Sequence, residues 1–398
     1  MPHLRKRYVL KKLLKKLKFF PVVSIQGARQ TGKSVLARDL LVSYLKPLEY
    51  LTFDDLSTRK EAETSPRTLL TSHSQSEPLV IDEAQKVPEI FDAIKFQVDK
   101  NRIPGKYILL GSTEFSILSQ IRESLTGRMG KIRIYPFTLQ ETLDKPNHKG
   151  TQTPPKQEDV TRYLQNGGMP GMFAVRDHEA QTSLFQDWLE LICYRDLFQF
   201  KTLKLDGDLA FEILRCTATL EEPSQAAIAK KLNVDGRKIG THLKALCELF
   251  VLQRLDPWLK GSGKPIFLLL DPGVANFLGA PVVRRLHIWI MNERLAFNAY
   301  FETKRSRFYY YRSRAKTWVH LVEDRIDGGI QAYQCVTQEA LTKRDMELMK
   351  SFLSKNPTAR GFMLAPILRQ TQIESIPVLP WESICSPVHA PLITGRSS

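Results

Sequence analysis

Residues 27–34 read Gly-Ala-Arg-Gln-Thr-Gly-Lys-Ser, and this run constrains the fold of the chain more than any other. It fits G-x-x-x-x-G-K-[ST], a glycine-rich loop whose backbone N–H groups cradle phosphate oxygens. Its flanks agree. Residues 21–25 (Pro-Val-Val-Ser-Ile) are short and β-branched, as a buried parallel strand is, and residues 35–41 have helical spacing. Strand, loop and helix in that order belong to an open α/β sheet with phosphate at a helix N-terminus. Gly27 and Gly32 let the backbone approach the phosphates closely. Lys33 is expected to reach the β- and γ-phosphates, and Ser34 to offer its hydroxyl to magnesium. Ala28, Arg29, Gln30, Thr31 and Val35 complete the expected phosphate-binding set.

A second segment, 79–83 (Leu-Val-Ile-Asp-Glu), is an apolar strand ending in two carboxylates. Asp82 falls at the carboxyl end of that strand, where open α/β sheets bind ligands, and is expected to hold magnesium. Glu83 points elsewhere and is expected to orient an attacking water. An isolated Asp-Glu pair is often only a solvated strand end. The phosphate loop upstream gives this one its meaning. A third strand, 106–110, ends in Gly111-Ser112-Thr113, where Ser112 or Thr113 is placed to contact the γ-phosphate or the water. Together the segments point to Mg2+-dependent ATP hydrolysis, with Lys33 and Glu83 as catalytic groups.

These strings, with 81–88 (Ile-Asp-Glu-Ala-Gln-Lys-Val-Pro) and 110–115 (Leu-Gly-Ser-Thr-Glu-Phe), resemble a prokaryotic AAA-type ATPase family. Residues 124–128 (Ser-Leu-Thr-Gly-Arg), 135–139 (Tyr-Pro-Phe-Thr-Leu), 167–170 (Gly-Gly-Met-Pro) and 270–273 (Leu-Asp-Pro-Gly) extend the likeness over roughly residues 3–355. The resemblance implies a parallel P-loop NTPase sheet with helices on both faces, then a helical lid, a winged helix and a nuclease-like α/β domain. It makes Ser112 or Thr113 the polar sensor. It makes Arg128 a candidate arginine finger completing a neighbouring subunit's site, which requires self-association. The competing reading of Arg128 is a surface cation in a basic chain.

Five cysteines are scattered without a C-x-x-C pair, which argues against a disulfide framework and structural zinc. No apolar run reaches membrane-spanning length, and the basic first twenty residues lack the apolar core of a secretory signal. A cytoplasmic location without membrane partners is the expectation. A net charge of +16 suggests an acidic partner, most economically nucleic acid. The N-terminus is the extreme case: Arg5, Lys6, Arg7, Lys11, Lys12, Lys15, Lys16 and Lys18 surround Leu10, Leu13, Leu14 and Leu17 at helical spacing. Such a helix docks by its leucines, or touches nucleic acid or a membrane surface with its cations; the resemblance, in which a similar helix precedes the first strand, favours docking, with DNA contact as an addition.

The chain divides into an ATPase domain with its basic helix (1–147), a Pro- and Gly-containing linker and helical lid (148–205), a winged helix (206–283), a degenerate nuclease-like domain (284–386) and a disordered tail (387–398). The winged-helix reading rests on a short helix at 225–232, a turn at 233–236, a longer helix at 237–250 and strand-like residues after it. In a DNA reader Arg237, Lys238, Thr241, His242 and Lys244 would face a groove, with Arg237, Lys238 and Lys244 as the nucleic-acid contacts. In the last domain the resemblance calls for a helix Glu, a strand Glu-Val-Asp and a Glu-x-Lys. Residues near Phe297, at 318–322 and at 334–336 stand there instead, and no carboxylate or lysine of the set survives. His320, Gln334 and Val336 do not make a magnesium site of that kind, and Glu323 and Asp324 fall off the pattern. The expected function is ATP hydrolysis that drives domain movement on nucleic acid. The alternatives are a nucleotide-gated DNA-binding protein with negligible turnover and, disfavoured by the Asp82-Glu83 pair, a small-molecule kinase.

Overall fold

The computed structural model describes residues 4–45, 47–73, 77–115, 125–144, 153–259, 263–302, 306–313, 318–326, 329–338 and 341–385. The tail expected to be disordered, residues 145–147 at the end of the expected ATPase domain and residues 148–152 of the expected linker lie outside these. Contacts divide the chain into two compact units.

The first unit comprises Arg7–Tyr135 with Glu248–Val251. Its sheet has five strands, β1 (Val22–Gln26), β2 (Glu49–Thr52), β3 (Leu79–Asp82), β4 (Tyr107–Gly111) and β5 (Met129–Arg133), in the order β2-β3-β4-β1-β5. All pairings are parallel, so the carboxyl ends of the strands share one edge. Strands β1, β3 and β4 are buried throughout, which is why they read as unbroken apolar runs. Helices cover the sheet: α1 (Val9–Leu17), α2 (Lys33–Val35), α3 (Leu56–Thr64), α4 (Pro66–Ser72) and α5 (Glu89–Lys100). Helix α2 runs on as a π turn (Leu36–Leu40) and a 3-10 turn (Leu41–Ser43). One core cluster joins Ile81 and Leu109 of the strands to Ile90, Phe91 and Ile94 of α5 and Leu69 and Leu70 of α4.

The basic N-terminal helix docks. Val9, Leu13 and Leu17 of α1 are buried, Leu10 and Leu14 half-buried, and Lys11, Lys15 and Lys18 exposed. Each fully buried Leu or Val is worth about 1.5–3 kcal/mol relative to exposure. Ahead of it, Arg7 is buried and donates to the carbonyls of Thr31 at 3.0 Å and Tyr135 at 2.7 Å.

The second unit contains Pro136–Cys247 and the described residues from Leu252 onward. It opens with the helices α6 (Leu139–Leu143), α7 (Gln157–Asn166) and α8 (His178–Leu191). Three helices follow, α9 (Gly207–Thr219), α10 (Gln225–Leu232) and α11 (Gly236–Glu248), and then an antiparallel hairpin of β6 (Leu252–Pro257) and β7 (Ile266–Leu269). Asn233, at φ 54°, ends α10 in the left-handed region, as the turn expected at 233–236 requires. After α12 (Pro272–Phe277) and α13 (Val282–Tyr300) come β8 (Arg307–Arg312), β9 (Trp318–Asp324), β10 (Ile330–Cys335), α14 (Lys343–Lys355), β11 (Ala359–Ala365), β12 (Thr371–Ile373) and β13 (Ile376–Pro380). Strand β6 pairs in parallel with β8, so hairpin and later strands form one eight-stranded sheet, β12-β13-β11-β10-β9-β8-β6-β7. Among the described residues no helix is long and apolar enough to cross a membrane.

Two buried carboxyl groups tie this unit together. Asp271 accepts the N–H groups of Gly168 at 2.7 Å, Gly273 at 2.8 Å and Val274 at 3.1 Å. Glu293 on α13 accepts the Leu139 N–H at 2.7 Å and Trp289 Nε1–H at 3.1 Å. Burial raises Asp271 to about 6 and Glu293 to about 7. A carboxyl group raised in the folded state contributes stability that is full below its unfolded pKa and is lost as pH rises through the folded one. Stability should therefore fall between about pH 4.5 and 7. Glu293→Gln keeps the acceptor and removes the charge. In urea titrations it should flatten that decline and stabilise the protein at pH 8 by up to about 3 kcal/mol. An unchanged pH slope would show that Glu293 is ionised without cost.

Candidate functional site

The phosphate loop leaves the carboxyl end of β1 and enters α2. Gly27 cannot be replaced without collision, since a Cβ there would lie 2.3 Å from the Ile134 carbonyl oxygen. Gly32 has φ 86° at the N-cap of α2, a left-handed backbone that glycine adopts freely. Gln30 has φ 62°. Within the loop, Thr31 Oγ1 donates to the Ala28 carbonyl at 2.7 Å. Lys33 is buried, and its Nζ donates to the carbonyls of Gly27 at 2.9 Å and Ala28 at 2.8 Å. A phosphate oxygen seeking that ammonium competes with two backbone carbonyls.

Strand order brings the other groups to this edge. Ser34 Oγ donates to Asp82 Oδ2 at 2.6 Å, across 48 residues of chain. Tyr50 on β2 donates to the same oxygen. Burial first, and then Asp82, pushes the Tyr50 hydroxyl up, so it stays a donor. Asp82 Oδ1 accepts the N–H of Glu83 at 2.9 Å. Glu83 has φ 53° and ψ 41°, so the chain turns sharply between the two carboxylates and points them apart. Strand β4 lies between β1 and β3, which sets its end residues between loop and acids. Ser112 Oγ donates to Glu83 Oε2 at 2.9 Å, and the Gln85 amide donates to the same oxygen. Thr113 is buried, with its carbonyl accepting Gln26 Nε2–H at 3.3 Å. A hydroxyl and a carboxylate in contact, beside a buried lysine and backbone N–H groups, are the donor set that Mg2+ with a nucleotide phosphate takes.

Arg128 stands apart. It precedes β5 at the amino end of the sheet, where its carbonyl accepts the Val22 N–H at 3.4 Å. The loop leaves the other end of β1, about 13 Å away along the strand. Arg128 Nε is paired with Asp99 at 2.6 Å. It does not join its own chain's site. Arg133, at the other end of the same strand, does lie at the loop edge, in register with Gln26, its guanidinium 4.9 Å from the Tyr135 ring and 4.8 Å from that of Phe250.

Of the expected groove residues on α11, Arg237, Lys238 and Lys244 are exposed. Lys238 Nζ lies 3.4 Å from Asp206, and Thr241 donates to the Arg237 carbonyl at 3.0 Å. His242 corrects the expectation. It is buried, with Nδ1 on the Lys238 carbonyl at 2.8 Å and Nε2 accepting the Asp206 N–H at 2.9 Å, so it fixes the start of α9 and meets no groove.

In the second sheet His320, Gln334 and Val336 line one cavity, as their places on neighbouring strands predict. The helix position expected near Phe297 lies elsewhere. Arg294 stacks 4.6 Å over the Phe297 ring, and Asn298 bonds Ser306 at 3.0 Å. His287 is the α13 residue beside His320. Glu323 is buried, bonded to Arg294 at 2.8 Å and Ser306 at 2.9 Å. Among the described residues no group of three or more His, Cys, Asp or Glu is placed to hold a metal ion.

Residues 20–143 match a family described as an AAA domain. Together with the parallel sheet and the loop between β1 and α2, this decides the first unit. Residues 20–143 belong to the AAA-type ATPase family. The fold of the unit is that of a P-loop NTPase. Residues 157–281 match a domain of unknown function (DUF8612). Uncharacterized proteins of Mycobacterium bovis and Mycobacterium tuberculosis are each 26% identical over 269 residues, which is 65% of this chain and 56% of theirs. The chain thus spans little more than half the length of the curated relatives it matches. Among solved structures, a Walker-type ATPase of Pyrococcus abyssi is 17% identical with a TM-score of 0.43, covering 68% of this chain and 94% of that one. The Orc1 protein of Aeropyrum pernix in complex with DNA is 14% identical with a TM-score of 0.33, covering 70% and 93%.

Sequence reasoning missed Gln26, Tyr50, Gln85 and Arg7. Gln85 follows Glu83 by two residues and was legible as a polar group at a strand end. Tyr50 and Arg7 carried no local signal. The geometry predicts that Gly27→Ala abolishes nucleotide binding in a fluorescent-nucleotide titration, because the loop must move off Ile134. Ser24→Ala is the control. Ser24 Oγ is buried without a partner among the described residues, so its removal should leave binding and stability within about 0.5 kcal/mol of the parent. Normal binding by the Gly27→Ala protein would contradict the tight loop.

Proposed function

We propose that the AAA unit binds ATP with Mg2+ and hydrolyses it. One observation carries the reading: Ser34, Asp82 and Glu83 converge at the carboxyl edge of the sheet beside the phosphate loop. In it, the backbone N–H groups of residues 27–35 and the Lys33 ammonium hold the phosphates, and Ser34 and Asp82 hold Mg2+. Bound there, the ion would neutralise charge building on the transferred phosphoryl group. Glu83 takes the proton of the attacking water. Ser112 and Gln85, both on Glu83 Oε2, keep one carboxylate oxygen occupied and leave the other for that water. Arg128 is assigned to a neighbouring copy's site, since it lies far from its own.

Turnover is proposed to move the second unit on nucleic acid, with residues 148–205 as linker and lid, 206–283 as a winged helix and 284–386 as a nuclease-like domain without nuclease chemistry. The net charge of +16 and the exposed Arg237, Lys238 and Lys244 support that partner. A second reading is a nucleotide-gated DNA-binding protein with negligible turnover. It is favoured by Lys33 being spent on loop carbonyls and by Glu83 being held by two donors.

ATPase assays with and without duplex, forked and single-stranded DNA separate the two readings. Lys33→Ala should lose tight ATP binding. Glu83→Gln should keep binding and lose about 10²–10⁴ in hydrolysis rate. Full activity in Glu83→Gln would remove the base assignment. Replacing Arg237, Lys238 and Lys244 together should weaken DNA binding and flatten its salt dependence, by about 0.9 in log–log slope for each phosphate no longer neutralised, while basal ATPase holds. Unchanged DNA binding would sink the groove assignment.

A further inference from the structure

The second unit holds a cavity that the proposed nucleotide chemistry does not use. His320, Gln334 and Val336, from β9 and the end of β10, border a space of about 480 Å³. An adjoining space of about 300 Å³ shares Trp318 and His320 with it and adds His287 and Arg284 of α13. Both volumes lie in the range of small-molecule pockets, about 300–1,000 Å³.

Its polar groups are waiting for partners. Gln334 is 4% exposed and His287 2% exposed. Yet Gln334 Oε1, His287 Nε2 and Trp318 Nε1 have no hydrogen-bond partner among the described residues. Native proteins rarely leave buried polar atoms unpaired without a reason. His320 Nδ1 accepts the Cys335 N–H at 3.1 Å, which leaves the proton on Nε2. His287 bonds the His320 backbone, which leaves its Nε2 as a lone-pair acceptor. Burial holds both imidazoles neutral, His320 pushed down to about 4 and His287 well below its usual range.

Two charged neighbours, Arg284 and Asp345, are engaged, while Glu221 and Arg344 also line the cavity and are solvent-exposed. Arg284 donates to the carbonyls of Leu220 at 2.8 Å and Glu221 at 2.6 Å. Asp345 accepts the Thr342 N–H at 3.0 Å. The buried part of the lining therefore offers acceptors (Gln334 Oε1, His287 Nε2) and donors (Trp318 Nε1–H, His320 Nε2–H), and Glu221 and Arg344 add charge where the cavity meets solvent. The walls are flat rings, His287 and His320 standing edge-on at 5.1 Å between centroids. A metal ion finds no cluster of ligating groups here among the described residues, and Arg344, the lining arginine besides Arg284, is solvent-exposed rather than buried with the rings. A neutral planar heterocycle with donors and acceptors along its edge answers every feature.

We propose that this cavity binds a nucleobase, carried by a free nucleoside or splayed from a single strand. The inference stands independently of the phosphate loop. To keep that loop silent, the test uses the full chain with Lys33→Ala. Calorimetric titrations are run with adenosine, guanosine, cytidine and thymidine, and with a mixed-sequence single-stranded pentanucleotide. At least one probe should bind. Gln334→Leu and, separately, His287→Phe should weaken it at least tenfold. The ligand-free melting temperature should hold or rise in Gln334→Leu, because an unpaired buried oxygen has gone. Equal affinity for nucleoside and oligonucleotide identifies the free ligand. An oligonucleotide bound at least tenfold tighter, with the same loss in the variants, identifies a base in a strand. No binding of any probe at millimolar concentration, or binding that neither substitution affects, would overturn the proposal.

Discussion

The Ser34–Asp82 hydrogen bond, 2.6 Å between heavy atoms, is the contact on which the chemistry proposed for the first unit depends. It joins a helix start to a strand end that are two strands apart, because β4 lies between β1 and β3. Only a parallel arrangement with that order brings the loop, the two carboxylates and Ser112 to one edge. Tyr50 shares the same carboxyl oxygen, so Asp82 is buried with two hydroxyl donors on one oxygen. Removing either donor leaves a buried carboxylate short of partners, which is costlier than the bond itself is worth. Arg7 clamps the loop from the side, tying the docked basic segment to the geometry of the site.

Much of this was legible from residue order. The phosphate loop, the strand ending in Asp82 and Glu83, and Ser112 at the next strand end are local signals: a glycine spacing, an apolar run, a polar residue after it. The leucines of α1 declared a docked face by their period. What was not legible came from tertiary placement. Tyr50 ends up beside Asp82 because β2 pairs with β3 (Tyr50 opposite Val80), and no spacing within residues 49–52 announces that. Arg128 and Arg133 lie five residues apart on the same segment, yet the strand between them sends one to each end of the sheet. His242 has the helical period of a groove residue, but its face is the one that packs on the start of α9. The helix partner of the β9–β10 cavity is His287, ten residues before Phe297, because α13 crosses the sheet at that turn.

The second unit carries a different lesson. Strand β6 pairs with β8, so the hairpin after α11 and the later strands share one sheet rather than forming separate layers. Three of its buried acidic groups serve structure: Glu323 in a buried pair with Arg294, Glu293 and Asp271 as acceptors for distant backbone N–H groups. The pocket on β9 and β10 is lined by the His320 imidazole, the Gln334 amide and the Trp318 indole, with Asp345 and Arg344 also in its wall.

The loop, Ser34, Asp82 and Glu83 are proposed to form a working nucleotide site. The most direct measurement is a crystal structure with Mg2+ and a non-hydrolysable ATP analogue. The account predicts Lys33 Nζ withdrawn from the Gly27 and Ala28 carbonyls onto the phosphates, the metal between Ser34 Oγ and Asp82, and Glu83 facing a water in line with the γ-phosphate. An analogue bound away from residues 27–35, or Lys33 still on the loop carbonyls with phosphate present, would contradict it.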